Sequence, residues 1–332
     1  MAFDIFNPCV SKVADSLKGK VVLIYGANNT GKTTVGTQLE KPLVLALEKG
    51  LNAINGQAYI PINNWLDFTR VIRDLTKPST LAKAKEMYQT IVVDQLENVG
   101  EYAKKFICDE YNVRDVSEGK GGFGYWGQLN SIIIEAINQL TSVGYTVYFI
   151  DHEKQISKDS PKVMPSGESR VVKAVVNLCD IVGHVVSNGV DKDFNVINSS
   201  CVFADTDLEF GRTKFSPYME TRLENFTAEN FEKCVKDGID AKAKAENFKT
   251  VKEEVIREQN KTEMKSYEEL MTELGSLGNQ MQTDGYADDL KYIVSHRLGE
   301  GNLASDLKKG QEQMIATIID DIKSHYEKIQ TA

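Results

Sequence analysis

Short, mostly apolar runs rich in Val and Ile recur along the chain from Lys20 to about Phe215, at 21–25, 43–47, 91–94, 146–151 and 181–186. Near-continuous apolar runs of this length are what strands buried on both faces of a parallel sheet require, and helical stretches between them supply the cover. Between the third and fourth runs, Ile132, Ile133, Ala136, Ile137 and Leu140 fall on one face of a helix over 130–140. Past 186 the chain turns polar over 187–195 and returns as a β-rich run over 196–204, which predicts a closing antiparallel hairpin.

The pattern then changes. Thr227-Ala228-Glu229-Asn230 caps a helix that Asp237-Gly238 is expected to end. Residues 240–262 are rich in Ala, Lys and Glu, with Ala241, Ala245, Phe248, Val251 and Val255 at helical spacing, so an exposed connecting helix is predicted. Ser266 stands three residues before Glu269, a capping-box signature, and opens helices over about 267–277, 286–298 and 311–329. The chain therefore divides into an α/β domain (1–238), a charged linker helix (239–265) and a small helical domain (266–332).

Composition narrows the classes. Of 332 residues, 41% are hydrophobic, enough for a large core, yet no run reaches the length of a membrane span. Met1-Ala2-Phe3-Asp4 lacks the basic flank and apolar stretch of a signal peptide, so a cytoplasmic chain without membrane contact is expected. Cys9, Cys108, Cys179, Cys201 and Cys234 are scattered and form no C-x-x-C pair, so they read as reduced thiols rather than zinc ligands. A net charge of −9, from 39 basic against 48 acidic residues, excludes a general phosphate-backbone binder; nucleic-acid contact would need local basic loops or assembly.

One motif carries chemistry. Gly26-Ala27-Asn28-Asn29-Thr30-Gly31-Lys32-Thr33 fits G-x-x-x-x-G-K-[ST], follows an apolar strand and opens a helix expected to run through Leu39. Its backbone N–H groups, with Thr34 behind them, would cradle the phosphates of ATP, while Lys32 reaches the β/γ-phosphates and the Thr33 hydroxyl ligates Mg²⁺. Thr90-Ile91-Val92-Val93-Asp94 is a buried strand ending in a carboxylate, the group that completes the Mg²⁺ shell in P-loop enzymes. His152, in Asp151-His152-Glu153 at the tip of another strand, is a candidate sensor of the γ-phosphate.

On these residues the chain resembles the phage-encoded AAA-domain ATPases of RecA-like fold found in replication and recombination modules, some of them single-strand annealing proteins. Leu45-Ala46-Leu47-Glu48-Lys49-Gly50-Leu51-Asn52-Ala53-Ile54, Gly-Lys-Gly-Gly-Phe-Gly-Tyr-Trp at 119–126, Phe149-Ile150-Asp151-His152-Glu153 and Asn177-Leu178-Cys179-Asp180-Ile181-Val182 extend the likeness over about 1–235. The 121–124 stretch is expanded relative to the family's shorter Gly-Lys-Gly-aromatic form. Gln95 after Asp94 disfavours a base at that position; the RecA-like arrangement instead implies Glu48, at the end of the second strand, as the general base. It also implies a homo-oligomer with nucleotide at subunit interfaces, Arg212 or Lys214 reaching a neighbour's site, and two DNA-facing loops near 117–126 and 155–170. These loops offer Phe123, Tyr125 and Trp126 for stacking and Lys158, Lys162 and Arg170 for phosphates. The implied activity is ATP hydrolysis on single-stranded DNA in phage recombination or replication, with annealing as its outcome and a phage or host single-strand-binding protein as a partner. A ring helicase or helicase loader, and a P-loop switch or small-molecule kinase, are the competing readings.

Overall fold

The computed structural model describes residues 6, 8–48, 54–260 and 265–331. The chain start 1–4, residues 49–53 of the 45–54 motif, and 261–264 at the end of the expected linker lie outside the described residues. The chain forms two compact units that meet in sequence between 260 and 261.

The strands of the larger unit are β1 (Val21–Gly26), β2 (Pro42–Ala46), β3 (Tyr59–Pro61), β4 (Thr90–Asp94), β5 (Thr146–Asp151), β6 (Glu153–Gln155), β7 (Val163–Pro165), β8 (Ile181–Val186), β9 (Ser200–Val202), β10 (Arg212–Thr213) and β11 (Arg222–Leu223). Nine of them form one sheet in the order β11-β9-β8-β1-β5-β4-β2-β3, with β10 also on β8, while β6 and β7 make a separate hairpin. From β8 to β3 every pairing is parallel; β9, β10 and β11 join antiparallel. This is an α/β core built on a mostly parallel sheet, and the predicted closing hairpin is the β8–β9 pair.

Parallel strands need crossovers, and these are α1 (Lys32–Thr37), α2 (Trp65–Thr76), α3 (Pro78–Met87), α4 (Leu96–Tyr111), α5 (Trp126–Ser142) and α6 (Ser169–Leu178). Because side chains alternate along a strand, Leu23 and Tyr25 face one apolar cluster with α2, α4, α5 and α6, and Val22 and Ile24 face another across the sheet. Both faces are covered, which is why these strands are apolar throughout.

The chain end of this unit departs from expectation. The helix starting at Ala228 does not stop at Gly238; α7 (Ala228–Ala245) continues for two further turns. A Cβ at Gly238 would lie 2.7 Å from that of Met219, so this glycine permits close packing rather than ending the helix. Nor is 239–265 a single exposed linker helix. Ile239 is fully buried, and Val251 bonds back to Asp15 and Val13 at 2.9 and 3.0 Å. The separate α8 (Glu253–Asn260) then lays Glu253 over Gly19 and Gly144.

The smaller unit holds α9 (Tyr267–Thr283), α10 (Ala287–Leu298) and α11 (Glu312–Thr331) around Leu270, Leu274, Met281, Ile315, Ile318 and Ile322. Its capping box forms as predicted, with Glu269 N–H donating to the Ser266 hydroxyl and Ser266 N–H to the Glu269 carboxylate. No described helix is long and apolar enough to cross a membrane. All five cysteines are free thiols.

Candidate active site

The loop between β1 and α1 is shaped by its glycines. Gly31 has φ 88, a left-handed conformation with open space around it, so the backbone angle rather than crowding requires glycine. At Gly26 the reason is space, since a Cβ would come within 2.4 Å of the Val185 carbonyl oxygen on β8. The helix that follows is shorter than expected, ending at Thr37 rather than Leu39. A Cβ at Gly36 would meet the Tyr148 ring at 2.9 Å, so α1 sits close against the sheet and brings Lys32 and Thr33 to the strand ends. Thr30, buried, donates to the Ala27 carbonyl at 2.9 Å and closes the loop on itself. Ala27, Asn28, Asn29 and Thr34 are exposed around it.

Lys32 is buried, and its ammonium donates to the Gly26 and Ala27 carbonyls at 2.8 and 2.6 Å. Desolvation lowers its pKa, opposed by the carboxylates of Asp94, Glu153, Asp151 and Glu48. The lysine is thus the cation at the centre of an acidic rim. Thr33 donates its hydroxyl to the Asp94 carboxylate at 3.0 Å across 61 positions of sequence. Burial raises the Asp94 pKa, with the Thr33 bond working against it.

A hydroxyl and a carboxylate in contact beside a buried ammonium fit a Mg²⁺–nucleotide complex. Mg²⁺ keeps one or two protein oxygens and takes the rest from phosphate and water. Thr33 and Asp94 would hold it, and it would polarise the phosphate oxygens. Glu48 follows β2 at the same edge, with its carboxylate 3.9 Å from Nε2 of His152. The four residues expected to meet, Lys32, Thr33, Asp94 and Glu48, therefore converge with His152.

Behind them stands a layer that sequence reasoning missed. Asp151 is fully buried and accepts from the Gly167 N–H at 3.1 Å and the Ser166 hydroxyl at 3.3 Å; that hydroxyl also lies 2.9 Å from the Glu97 carboxylate. Glu153 meets His184 at 2.7 Å, and His184 stacks on Tyr25 with ring centroids 4.8 Å apart. The Tyr25 hydroxyl donates to the Phe210 carbonyl at 2.8 Å and accepts its N–H at 2.9 Å. The polar Asp-His-Glu triplet ending an apolar strand was the available signal. The partners of Asp151 and Glu153 lie 15 to 31 positions away.

Residues 18–217 match the AAA domain family. Over 323 residues the chain is 41% identical to the SPbeta prophage-derived protein YorG of Bacillus subtilis strain 168, an alignment spanning 97% of this chain and 98% of that protein. The chain belongs to the AAA-domain family of P-loop ATPases. The loop between β1 and α1 lies within the matched residues and in the expected strand–loop–helix context.

Of the remaining candidates, Arg212 and Lys214 lie apart from this AAA-domain site. Arg212 pairs in register with Val182, and Lys214 reaches Asp180 at 3.1 Å, at the end of β8 away from the nucleotide loop. Phe123 is 85% exposed. Tyr125 instead stacks on Tyr111 at 4.1 Å, and Trp126 lies under the Arg170 guanidinium at 4.5 Å. Lys158 is exposed, whereas Lys162 is ion-paired with Asp205 at 2.5 Å. The 155–170 segment runs from the end of β6 through the hairpin loop 156–162, which carries Lys158 and Lys162, and through β7 to the start of α6.

Burial pushes Asp151 up to about 6, and nearby Glu97 adds to the rise while the Gly167 N–H opposes it. An unfolded Asp titrates near 3.9, so the folded protein retains this proton between about pH 4 and 6. Stability from the group is whole below that window, falls as pH rises through it, and is gone above, a loss of at most about 3 kcal/mol. Asp151→Asn should therefore flatten the decline in melting temperature between about pH 4 and 7. A calorimetric series giving the parent slope would place that titration in another group.

Proposed function

We propose that this chain hydrolyses ATP, with Glu48 as the general base, and that as an oligomer it couples turnover to single-stranded DNA in recombination or replication, promoting annealing. The observation carrying the hydrolytic half is the Thr33–Asp94 contact at 3.0 Å beside buried Lys32, with Glu48 at the same strand edge. In this reading Lys32 binds the β/γ-phosphates, Thr33 and Asp94 hold Mg²⁺, and Glu48 accepts the proton of the attacking water. His152, beside Glu48, senses the γ-phosphate from the strand that leads into the β6–β7 hairpin.

Arg212 and Lys214 serve only across a subunit interface, because they lie away from their own nucleotide loop. The Lys214–Asp180 pair is half-exposed on the lysine side, and such pairs contribute only about 0–1 kcal/mol, so a neighbour's phosphate could displace the aspartate.

For DNA, exposed Phe123, Lys158 and Arg170 are the contacts best supported. Tyr125 and Trp126 brace the loop and contribute through its shape.

Single-stranded DNA should raise the ATPase rate, and binding should be salt-sensitive and strongest with a non-hydrolysable ATP analogue. Lys158→Ala should reduce the slope of log affinity against log salt by about 0.7, the loss of one neutralised phosphate on a single strand. Lys162→Ala should change it less, since Asp205 already pairs with that ammonium. Fluorescence anisotropy across a salt series measures both. No binding at low salt with the analogue would overturn the DNA half and leave a nucleotide-dependent switch.

A further inference from the structure

After β8 the chain leaves the sheet as an arm, residues 187–199, before returning as β9. The arm is built rather than loose. Asp191 Oδ1 accepts the backbone N–H groups of Asp193 and Asn195 at 2.8 and 2.9 Å. Val190 and Val196 bridge antiparallel. At the base Asn188 donates to the Asn198 carbonyl at 2.6 Å and accepts the Ser200 hydroxyl at 3.0 Å. Yet this fastened turn presents Phe194 at 85%, Val196 at 80% and Val190 at 53% exposure. Phe194 has φ 62, a left-handed conformation that costs a bulky residue about 1–2 kcal/mol. An ordered turn that holds an aromatic ring in water at such a cost marks a contact surface.

A fitting surface lies toward the other margin of the sheet. There α2, which follows edge strand β3, and α5 enclose a groove of about 310 Å³ floored by Trp65, Ile132 and Ala136. Leu66, 50% exposed, lies on its rim with the exposed guanidinium groups of Arg70 and Arg73. The volume accommodates a phenylalanine side chain. The charges are also complementary: the arm tip carries Asp191 and Asp193 against one Lys192, and the groove rim carries Arg70 and Arg73 against one Glu135.

We infer that the arm of one copy of this chain docks into the α2–α5 groove of the next, with Phe194 and Val196 on the apolar floor and Asp193 facing Arg70 and Arg73. The inference rests on the oligomeric reading above and names the contact that builds it. Because arm and groove are different surfaces near opposite margins of one sheet, the contact is heterologous, and repeating it gives a ring or a filament rather than a closed two-fold dimer.

Sedimentation velocity of the full chain with a non-hydrolysable ATP analogue tests this. Phe194→Asp should weaken self-association at least tenfold while leaving nucleotide affinity and melting temperature at parental values. Arg73→Glu should weaken it from the other side, and combining Arg73→Glu with Asp193→Arg should recover assembly by restoring opposite charges. Parental assembly of Phe194→Asp, or a double exchange no better than Arg73→Glu alone, overturns the arm–groove contact and leaves the oligomeric reading standing. A parent chain that stays monomeric with the analogue overturns both.

Discussion

Lys32→Ala should lose nucleotide binding by at least two to three orders of magnitude, roughly what one or two charge-assisted hydrogen bonds of about 1.5–3 kcal/mol each would account for. Lys32 is a buried cation amid Asp94, Glu153, Asp151 and Glu48, and without it a polyphosphate would meet those carboxylates with their nearest buried counter-charge gone. The loss should thus exceed that of a simple hydrogen-bond deletion, because the residual field changes sign. The ammonium also bonds the Gly26 and Ala27 carbonyls, so the melting temperature of the variant must be followed in parallel. Isothermal calorimetry with ATP and magnesium gives the answer directly, and an affinity equal to that of the parent would remove the nucleotide from this loop.

Glu48→Gln should bind ATP as the parent does and turn it over about 10²–10⁴ times more slowly, the usual worth of a positioned general base. The amide keeps the size of the carboxylate but cannot accept a proton from water. It also leaves Lys32, Thr33 and Asp94 in place, which is why binding and turnover should separate. Single-turnover kinetics alongside calorimetry would resolve the two. Normal hydrolysis by the variant would move the base elsewhere, first to Glu97, whose carboxylate is held by the Ser166 hydroxyl at 2.9 Å.

The nucleotide loop, the Asp94 strand and the positions of the central strands along the chain could be read from the sequence because each is encoded locally. Eight consecutive residues specify the loop, and unbroken apolar runs specify strands covered on both faces. The capping box at Ser266 was legible for the same reason, its two partners being one helical turn apart. Local signals misled where a residue type serves two physical purposes. Gly238 looked like a helix stop, but its missing side chain makes room for Met219. Tyr125 and Trp126 read as stacking platforms for bases, and in the fold each already has one neighbour on its ring, Tyr111 and Arg170.

The second layer of the site left only the Asp151-His152-Glu153 triplet as a local sign, and nothing local named its partners. Asp151 meets Ser166 and Gly167 because the β6–β7 hairpin folds back to the end of β5, and Glu153 meets His184 because β5 and β8 flank β1 and bring their carboxyl ends to one edge. The same register sets Arg212 and Lys214 at the far end of β8. Which strand tips become neighbours depends on sheet order and pairing register. Those depend in turn on how helices packed from both faces bury alternate side chains, a property of the assembled layers that no short stretch of chain contains.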